Sequence, residues 1–285
     1  MSVNIDTALV KGFETGVMMV AQQEGSRLAD TVRYEKVARG EEFSFDALGT
    51  SDPAELTTRH APTPVGNIDH TRRWVNPKLF ARAELLDKPD QLRSINDFTN
   101  PYTRAIGMGF GRQRDREIIA AALATAKSGK TGSGTEAFPT ATHQIVHGSG
   151  GMSLTKINQD AKILRKYEVP KPWFMVCSAD QIEDVMNDST ITSADYNSVR
   201  LLMQGEIDTF AGFKWRTTQL LDLASTTRSC LAYGRDSLLL AVQLGDESRI
   251  SERDDLNYAT QVYFRAMFGA TRLDEVGVVE VQCTE

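Results

Sequence analysis

Three consecutive stretches decide the fold: VRYEKVARGEEFSFDALG (residues 32–49), TSDPAELTTRHAPTPVGN (50–67) and HTRRWVNPKLFARAELLD (70–87). The first alternates, holding Val32, Tyr34, Val37, Phe43 and Phe45 in what reads as extended chain. The second cannot be helix, because Pro53, Pro62 and Pro64 interrupt a run of Thr and Ser. Extended chain returns in the third. Two extended runs around a polar tip of roughly twenty residues describe a long hairpin arm. Loops of that length are uncommon inside a compact domain, so the tip is expected to touch something beyond its own domain.

On the N-terminal side, residues 1–30 read as an arm or a short helix without strong caps. On the other side, Asn100 and Pro101 open a helix: Asn accepts from free N–H groups, and Pro suits the first helical position. That helix is predicted to run to about Lys127, roughly 40 Å at 1.5 Å per residue. SGKTGSGT (128–135) ends it. A short apolar run surrounds Ile145; Ser153 then caps a second helix, LTKINQDAKILRKYEV, which Pro170 closes. WFMVCS (173–178) reads as a buried strand, ADQIEDVMND (179–188) as a short helix and SADYNSVRLLMQ (193–204) as another. FKWRTTQLL, SCLAYG and YATQVYFRAMFGATRL are strand-like, and VGVVEVQC alternates to residue 283. Helices and strands mix without a regular βαβ cycle, so the class is α+β.

The chain has 285 residues, 41% of them hydrophobic and 25% charged, enough apolar side chains to offset chain entropy in one large domain or two joined ones. Net charge is −6, from 32 Lys and Arg against 38 Asp and Glu. Proteins that coat a polyphosphate carry the opposite excess. No stretch approaches the ~20 apolar residues of a membrane span. Cys177, Cys230 and Cys283 are far apart in sequence and odd in number, so neither a disulfide framework nor a metal knuckle is indicated, and a reducing, cytosolic place of synthesis is expected.

Motifs that suggest chemistry fail on detail. Gly129-Lys130-Thr131 ends like a phosphate loop, but Ala124 stands where that loop needs Gly, and the segment closes a helix instead of opening one. Gly107, Gly109 and Gly111 start a dinucleotide fingerprint that Arg112 breaks; glycines on a long helix instead admit a neighbouring backbone. In His143-Gln144-Ile145-Val146-His147 an amide replaces the Glu that zinc peptidases use as general base. As a strand, that segment would separate the two imidazole-bearing Cα atoms by roughly 13 Å, too far for one metal. Ser153-Leu154-Thr155-Lys156 and Lys130-Thr131-Gly132 mimic penicillin-recognising enzymes in the wrong chain order, and Ser153 already serves as a cap. Arg104, Arg112, Arg114 and Arg116 make residues 101–150 locally basic, six against three; Arg112 and Arg116, four apart, share a face that is either solvated or a contact with another subunit or a polyanion. No catalytic, cofactor or metal constellation survives.

FSFDALGTSDPAELTTRHAPTP (43–64), ITSADYNSVRLLMQGEIDTFAGFKWRTT (191–218) and YATQVYFRAMFGATRLDEVGVVEVQC (258–283) resemble the major capsid proteins of tailed double-stranded DNA bacteriophages, in order and from about Thr31 to Cys283. The resemblance implies the Hong Kong 97-type capsid fold. Its parts would be an N-terminal arm (1–30), an extended E-loop hairpin with flanking strands (31–90), a peripheral domain (91–139 and 229–271, with its spine helix at about 101–127) and an axial domain (140–228 and 272–285). It implies a structural, non-enzymatic protein that self-assembles into hexamers and pentamers of an icosahedral shell. The expected assembly contacts are Thr50, Pro53, Arg59, His60, Pro62 and Pro64 at the E-loop tip, with Arg112 and Arg116 as the basic face of the spine helix. Expected partners are a portal protein, a separate scaffolding protein (only about 30 residues precede the E-loop), a decoration protein and packaged double-stranded DNA bound without sequence specificity. Assembly would occur in the bacterial host cytoplasm and the product would reside in the virion, with no membrane involved. The rival readings are an encapsulin-like compartment shell of the same fold and a metal-dependent hydrolase built on His143 and His147. No lysine–asparagine crosslink pair is matched. An acidic shell encloses DNA without gluing to it, which gives the −6 a second meaning.

Overall fold

The computed structural model describes residues 22–55, 63, 65–86, 99–148, 150–187, 209–256 and 258–285. The first extended run divides into β1 (Arg33–Lys36) and β2 (Phe43–Leu48), and the third into β3 (His70–Val75) and β4 (Lys78–Leu86). Strands β2 and β3 form the expected antiparallel hairpin, from Phe43↔Val75 out to Leu48↔His70, and Gly49 N–H donates to the Asp69 carbonyl one step further. Helix α1 spans Thr99–Leu123 and so ends earlier than the expected Lys127. The difference has a tertiary cause: Ala126–Ser128 leave as strand β5, pair with β3 and turn through Gly129 and Gly132, both at positive φ, into β6 (Gly134–Glu136). The SGKTGSGT segment is therefore a hairpin turn, and β2-β3-β5-β6 make a four-stranded sheet.

The short helix α2 (Thr140–His143) and strand β7 (Gln144–Ile145) follow. Helix α3 (Leu154–Lys166) starts where Ser153 Oγ accepts from the Lys156 N–H, and it turns Ile157, Ala161 and Leu164 inward. Strand β8 (Trp173–Cys177) is buried at all five positions, as a continuous apolar run with both faces covered requires. Helix α4 is Ala179–Asn187; the helix expected over 193–204 lies outside the described residues. Strands β9 (Thr209–Phe210), β10 (Phe213–Thr217), β11 (Leu223–Ala224) and β12 (Thr227–Gly234) come next. Two long strands, β13 (Leu238–Arg253) and β14 (Ala259–Arg272), then precede β15 (Val278–Thr284).

These strands complete two more sheets. One has seven strands, in the order β7-β15-β12-β8-β10-β9 with β11 beside β12. The other runs β1-β13-β14-β4. Helix α1 lies on the β13–β14 sheet, with Phe110 against Phe264 at a ring separation of 4.8 Å. The sequence boundary at residue 229 falls inside β12, whose partners are β8 and β15. By pairing, residues 229–234 belong with the seven-stranded sheet, and the chain changes sheets at the single turn Arg235–Ser237. Mixed helix and sheet without a βαβ cycle is the α+β class.

Candidate assembly surfaces

The β2–β3 hairpin gains burial only toward its root. Arg73 and Val75 at the base are buried and Trp74 half-buried, whereas Ala47, Leu48, His70 and Thr71 are exposed. At the root, β5 supplies two register pairs, Trp74 Nε1 donates to the Gly129 carbonyl at 2.8 Å, and Lys127 pairs with Glu42 at 2.6 Å. Along the hairpin, Arg72 grips Asp46 through two hydrogen bonds, which lower the Asp46 carboxyl below its usual range. Leu48 is 67% exposed and Val65 94%, and Ile68, three residues after Val65, is exposed as well. The rooted, wet hairpin thus presents unpartnered apolar side chains. Of the residues predicted at its tip, Thr50 and Pro53 are exposed; Arg59, His60, Pro62 and Pro64 lie outside the described residues.

A second projection belongs to none of the strand-like runs read from the sequence. The outer part of β13, from Gly245 onward, is largely exposed on both faces. Beta-bulges between Val242 and Glu247 mark where it leaves the body. Strand β1 pairs with β13 only as far as Val242, so among the described residues the outer edge of β13 has no strand partner. Exposed Leu85, Ile250, Leu256 and Tyr258 cluster toward the end of this ribbon. Charges at Asp246, Glu247, Arg249 and Glu252 punctuate the edge, the composition that keeps an open strand from pairing indiscriminately.

The arginines of α1 are mostly engaged within the chain. Arg104 pairs with Glu24, and Arg114 pairs with Asp246 while lying over the Phe268 ring. Half-buried Arg112 donates to Gln22 Oε1 at 2.8 Å and to the Gln23 carbonyl at 3.3 Å, whereas exposed Arg116 donates to Gln113 Oε1 at 3.4 Å. Between them sits Asp115, fully buried, accepting from the backbone N–H groups of Arg27 and Leu28 and from the Gln23 and Ser26 side chains. This carboxylate fastens residues 23–28 across the helix. The crossing is backbone on backbone at Gly111, where a Cβ would stand 2.2 Å from the Gly25 carbonyl carbon. Close approach is thus the role of Gly111, while Gly107 faces open space. At the far end of α1, Arg272 of β14 is fully buried and donates to the carbonyls of Ala122 in the last helical turn, Ala124 just beyond it and Glu136 of β6, tying the helix end to the hairpin that follows. Neither Asp115 nor Arg272 carries a sequence signal. One reads as an acid in a basic run, the other as a strand-end cation.

The seven-stranded sheet unit gathers the remaining polar chemistry. Glu285 accepts two bonds from Arg228 and one each from Ser178 and Gln181, and the Arg228 bonds take its carboxyl down to about 2. Lys156 Nζ donates to the carbonyls of Gly150, Gly151 and Gln282, leaving it no catalytic freedom. Asp160 is fully buried with neither oxygen hydrogen-bonded, and burial pushes its carboxyl well up. The cysteines, distant in sequence, occupy neighbouring strands β8, β12 and β15 as buried free thiols. Burial raises Cys177, and a bond to Cys283 together with burial raises Cys230. His143 does not sit in a strand with His147: it ends α2, buried against Tyr167 and sharing a hydrogen bond with Thr142 Oγ1, while His147 Nδ1 lies 3.3 Å from Thr284 Oγ1. Among the described residues no three His, Cys, Asp or Glu side chains converge as a metal site, and no helix is long and apolar enough to cross a membrane.

The capsid of cyanophage P-SCSP1u superposes with a TM-score of 0.72 at 14% identity, covering 100% of this chain and 96% of that one. The capsid of Ralstonia phage GP4 gives 0.75 at 11% identity over 97% and 95%, and the head of Helicobacter pylori bacteriophage KHP40 gives 0.73 at 11% over 99% and 98%. The fold is therefore the capsid fold that the resemblance implied. The sequence matches the phage capsid protein family over residues 5–285, and the chain belongs to that family. It is a structural, major capsid type of protein, a component of the virion shell. No curated protein matches it.

Proposed function

We propose that copies of this chain close into an icosahedral shell around packaged double-stranded DNA, and that the β2–β3 hairpin of each copy lies across its neighbour. The observation carrying this reading is the hairpin itself. Its root is fixed by β5 and Trp74, while Leu48, Val65 and Ile68 are left to water. An apolar, hydrogen-bonding strand pair of that kind gains area and sheet-edge bonds on a neighbour. Each contact is weak, but a subunit held by several neighbours gains through multivalency. The tip residues Thr50, Pro53, Arg59, His60, Pro62 and Pro64 belong to this contact, and the outer β13–β14 ribbon supplies another.

In this reading residues 1–30 are the arm, 31–90 the E-loop, α1 with β13 and β14 the peripheral domain, and the seven-stranded sheet unit the axial domain. The protein turns over no substrate and assembles in the host cytoplasm. Its partners are a portal, a separate scaffolding protein, a decoration protein and DNA held without sequence readout. The distribution of charge fits enclosure: residues 251–285 carry three basic against seven acidic side chains. Deleting residues 50–65 tests the reading. The expected product is a folded, soluble subunit that forms no stable shell in negative-stain micrographs. Normal particles from that deletion would refute it.

A further inference from the structure

The end of α3 and the turn into β8 carry positive charge that their surroundings do not balance. Residues 161–173 hold Lys162, Arg165, Lys166 and Lys171 against the single acid Glu168, and all four cations are exposed. Lys162, Arg165 and Lys166 are spaced three and four apart and so share one helix face. Among the described residues none of the four pairs with a carboxylate, whereas Arg72, Arg73, Arg228 and Arg265 each do. We propose that this face binds the phosphate backbone of duplex DNA.

Three observations carry the assignment. The charges are held in place: Arg165 and Lys171 lie over the Trp173 ring, 6.0 and 5.2 Å from its centre, and Lys166 lies over Tyr167 at 5.4 Å. Two cations gathered at one ring repel each other, and a polyanion laid across them relieves that repulsion. The helix dipole accounts for only part of the cluster. It favours Arg165 and Lys166 in the last turn of α3, but Lys162 lies a turn earlier and Lys171 beyond the helix. The field is also local, because the chain as a whole has a net charge of −6. Four exposed cations spread over one face suit a row of phosphates, each met by one charge. The enclosure proposed above supplies that polyanion, so the choice of occupant rests on that reading.

Binding of a fluorescent DNA duplex to the full-length, unassembled subunit, followed by anisotropy, tests the assignment. Four phosphate contacts predict an affinity that falls with salt at a log–log slope of roughly −3.5. The combined variant Lys162→Gln, Arg165→Gln, Lys166→Gln and Lys171→Gln keeps aliphatic stems over the aromatic rings while removing the charges. It should bind at least tenfold more weakly at about 50 mM salt, with a flattened slope. A control takes the same charge from exposed cations elsewhere, Lys36→Gln, Arg39→Gln, Lys130→Gln and Arg249→Gln, and should lose less than about threefold. Binding that is absent, or weakened alike in both variants, would overturn the proposal. Tighter binding of poly-glutamate than of DNA would overturn it too, since the occupant would then be an acidic protein segment. Shell formation by the wild-type chain is scored separately in negative stain, so failure of this face leaves the assembly reading standing.

Discussion

The seven-stranded sheet unit and the two projections are made of the same kind of strand, yet they differ in what covers them. In β8 every residue is buried, and in β12 six of eight are. In β2 none is, and the outer half of β13 carries no buried residue past Val242. Strands covered on both faces contribute stability; strands wet on both faces have no stabilising role within the single chain. The difference divides the described chain into a body whose strands are covered from within and extensions whose apolar side chains the single chain leaves exposed.

The sharpest way to break that division is to cut equivalent apolar groups from each side. Leu231→Ala in β12 and Met175→Ala in β8 should each lower unfolding free energy by about 2–5 kcal/mol, measured by urea titration. Leu48→Ser and Val65→Ser should change it by less than about 0.5 kcal/mol each, while abolishing shells in electron micrographs. A hairpin variant that unfolds would collapse the distinction.

Arg272 tests the seam between helix and sheet. Removing its guanidinium strands the carbonyls of Ala122, Ala124 and Glu136 and opens a void, so Arg272→Ala should cost about 3–5 kcal/mol. Arg272→Lys should recover only part of this, because one ammonium cannot span all three acceptors. A loss as small as that of a surface substitution would remove Arg272 from the fold's supports.

How much of this could be read from residues alone follows the same line between local and tertiary causes. The hairpin was legible because Pro53, Pro62 and Pro64 forbid helix between two alternating runs, and the Ser153 cap because hydroxyl caps act within one turn. The end of α1 falls four residues short of the expected Lys127: Ala124, Ala126 and Lys127 are good helix formers, and pairing of β5 with β3 overrides them. A strand over HQIVH would hold both histidines, but α2 and the Tyr167 ring claim the first of them. Asp115, Arg272 and the cysteine grouping depend on partners that lie 50 to 150 residues away in the chain, which no local pattern encodes.

Acid separates two carboxyls of the body. The folded-state value of Glu285, about 2, lies below the ordinary value near 4.3. Its contribution is thus present above about pH 5 and lost as pH falls toward 2. Glu285→Gln should destabilise at pH 7, with the difference from wild type closing in acid. Asp160 has the opposite sign. Its folded value is raised by burial, so wild type and Asp160→Asn should melt together near pH 3. As pH rises above about 4 the wild type should fall behind, because the unfolded carboxyl ionises freely while the buried one does not. Melting curves across pH 3–8 check both, and an Asp160→Asn variant less stable than wild type at pH 7 would mean that the carboxyl has an ionic partner.

The smallest effect distinguishes two glycines one helical turn apart. Glycine inside a helix costs about 1 kcal/mol relative to alanine, so replacing it should stabilise α1 wherever a methyl group fits. At Gly107 a Cβ meets nothing within 4 Å, and Gly107→Ala should raise stability by up to about 1 kcal/mol. At Gly111 the same methyl would lie 2.2 Å from the Gly25 carbonyl carbon, a backbone atom held by the Asp115 bonds on either side. Gly111→Ala must therefore lift residues 23–28 off the helix, and its gain in helix propensity should be outweighed by weakened bonds to Asp115. Hydrogen exchange at the Arg27 and Leu28 amides reads this directly: faster in Gly111→Ala, unchanged in Gly107→Ala. If both variants were stabilised alike, residues 23–28 would be only loosely seated, and the fastening of the arm to the helix would fall with them.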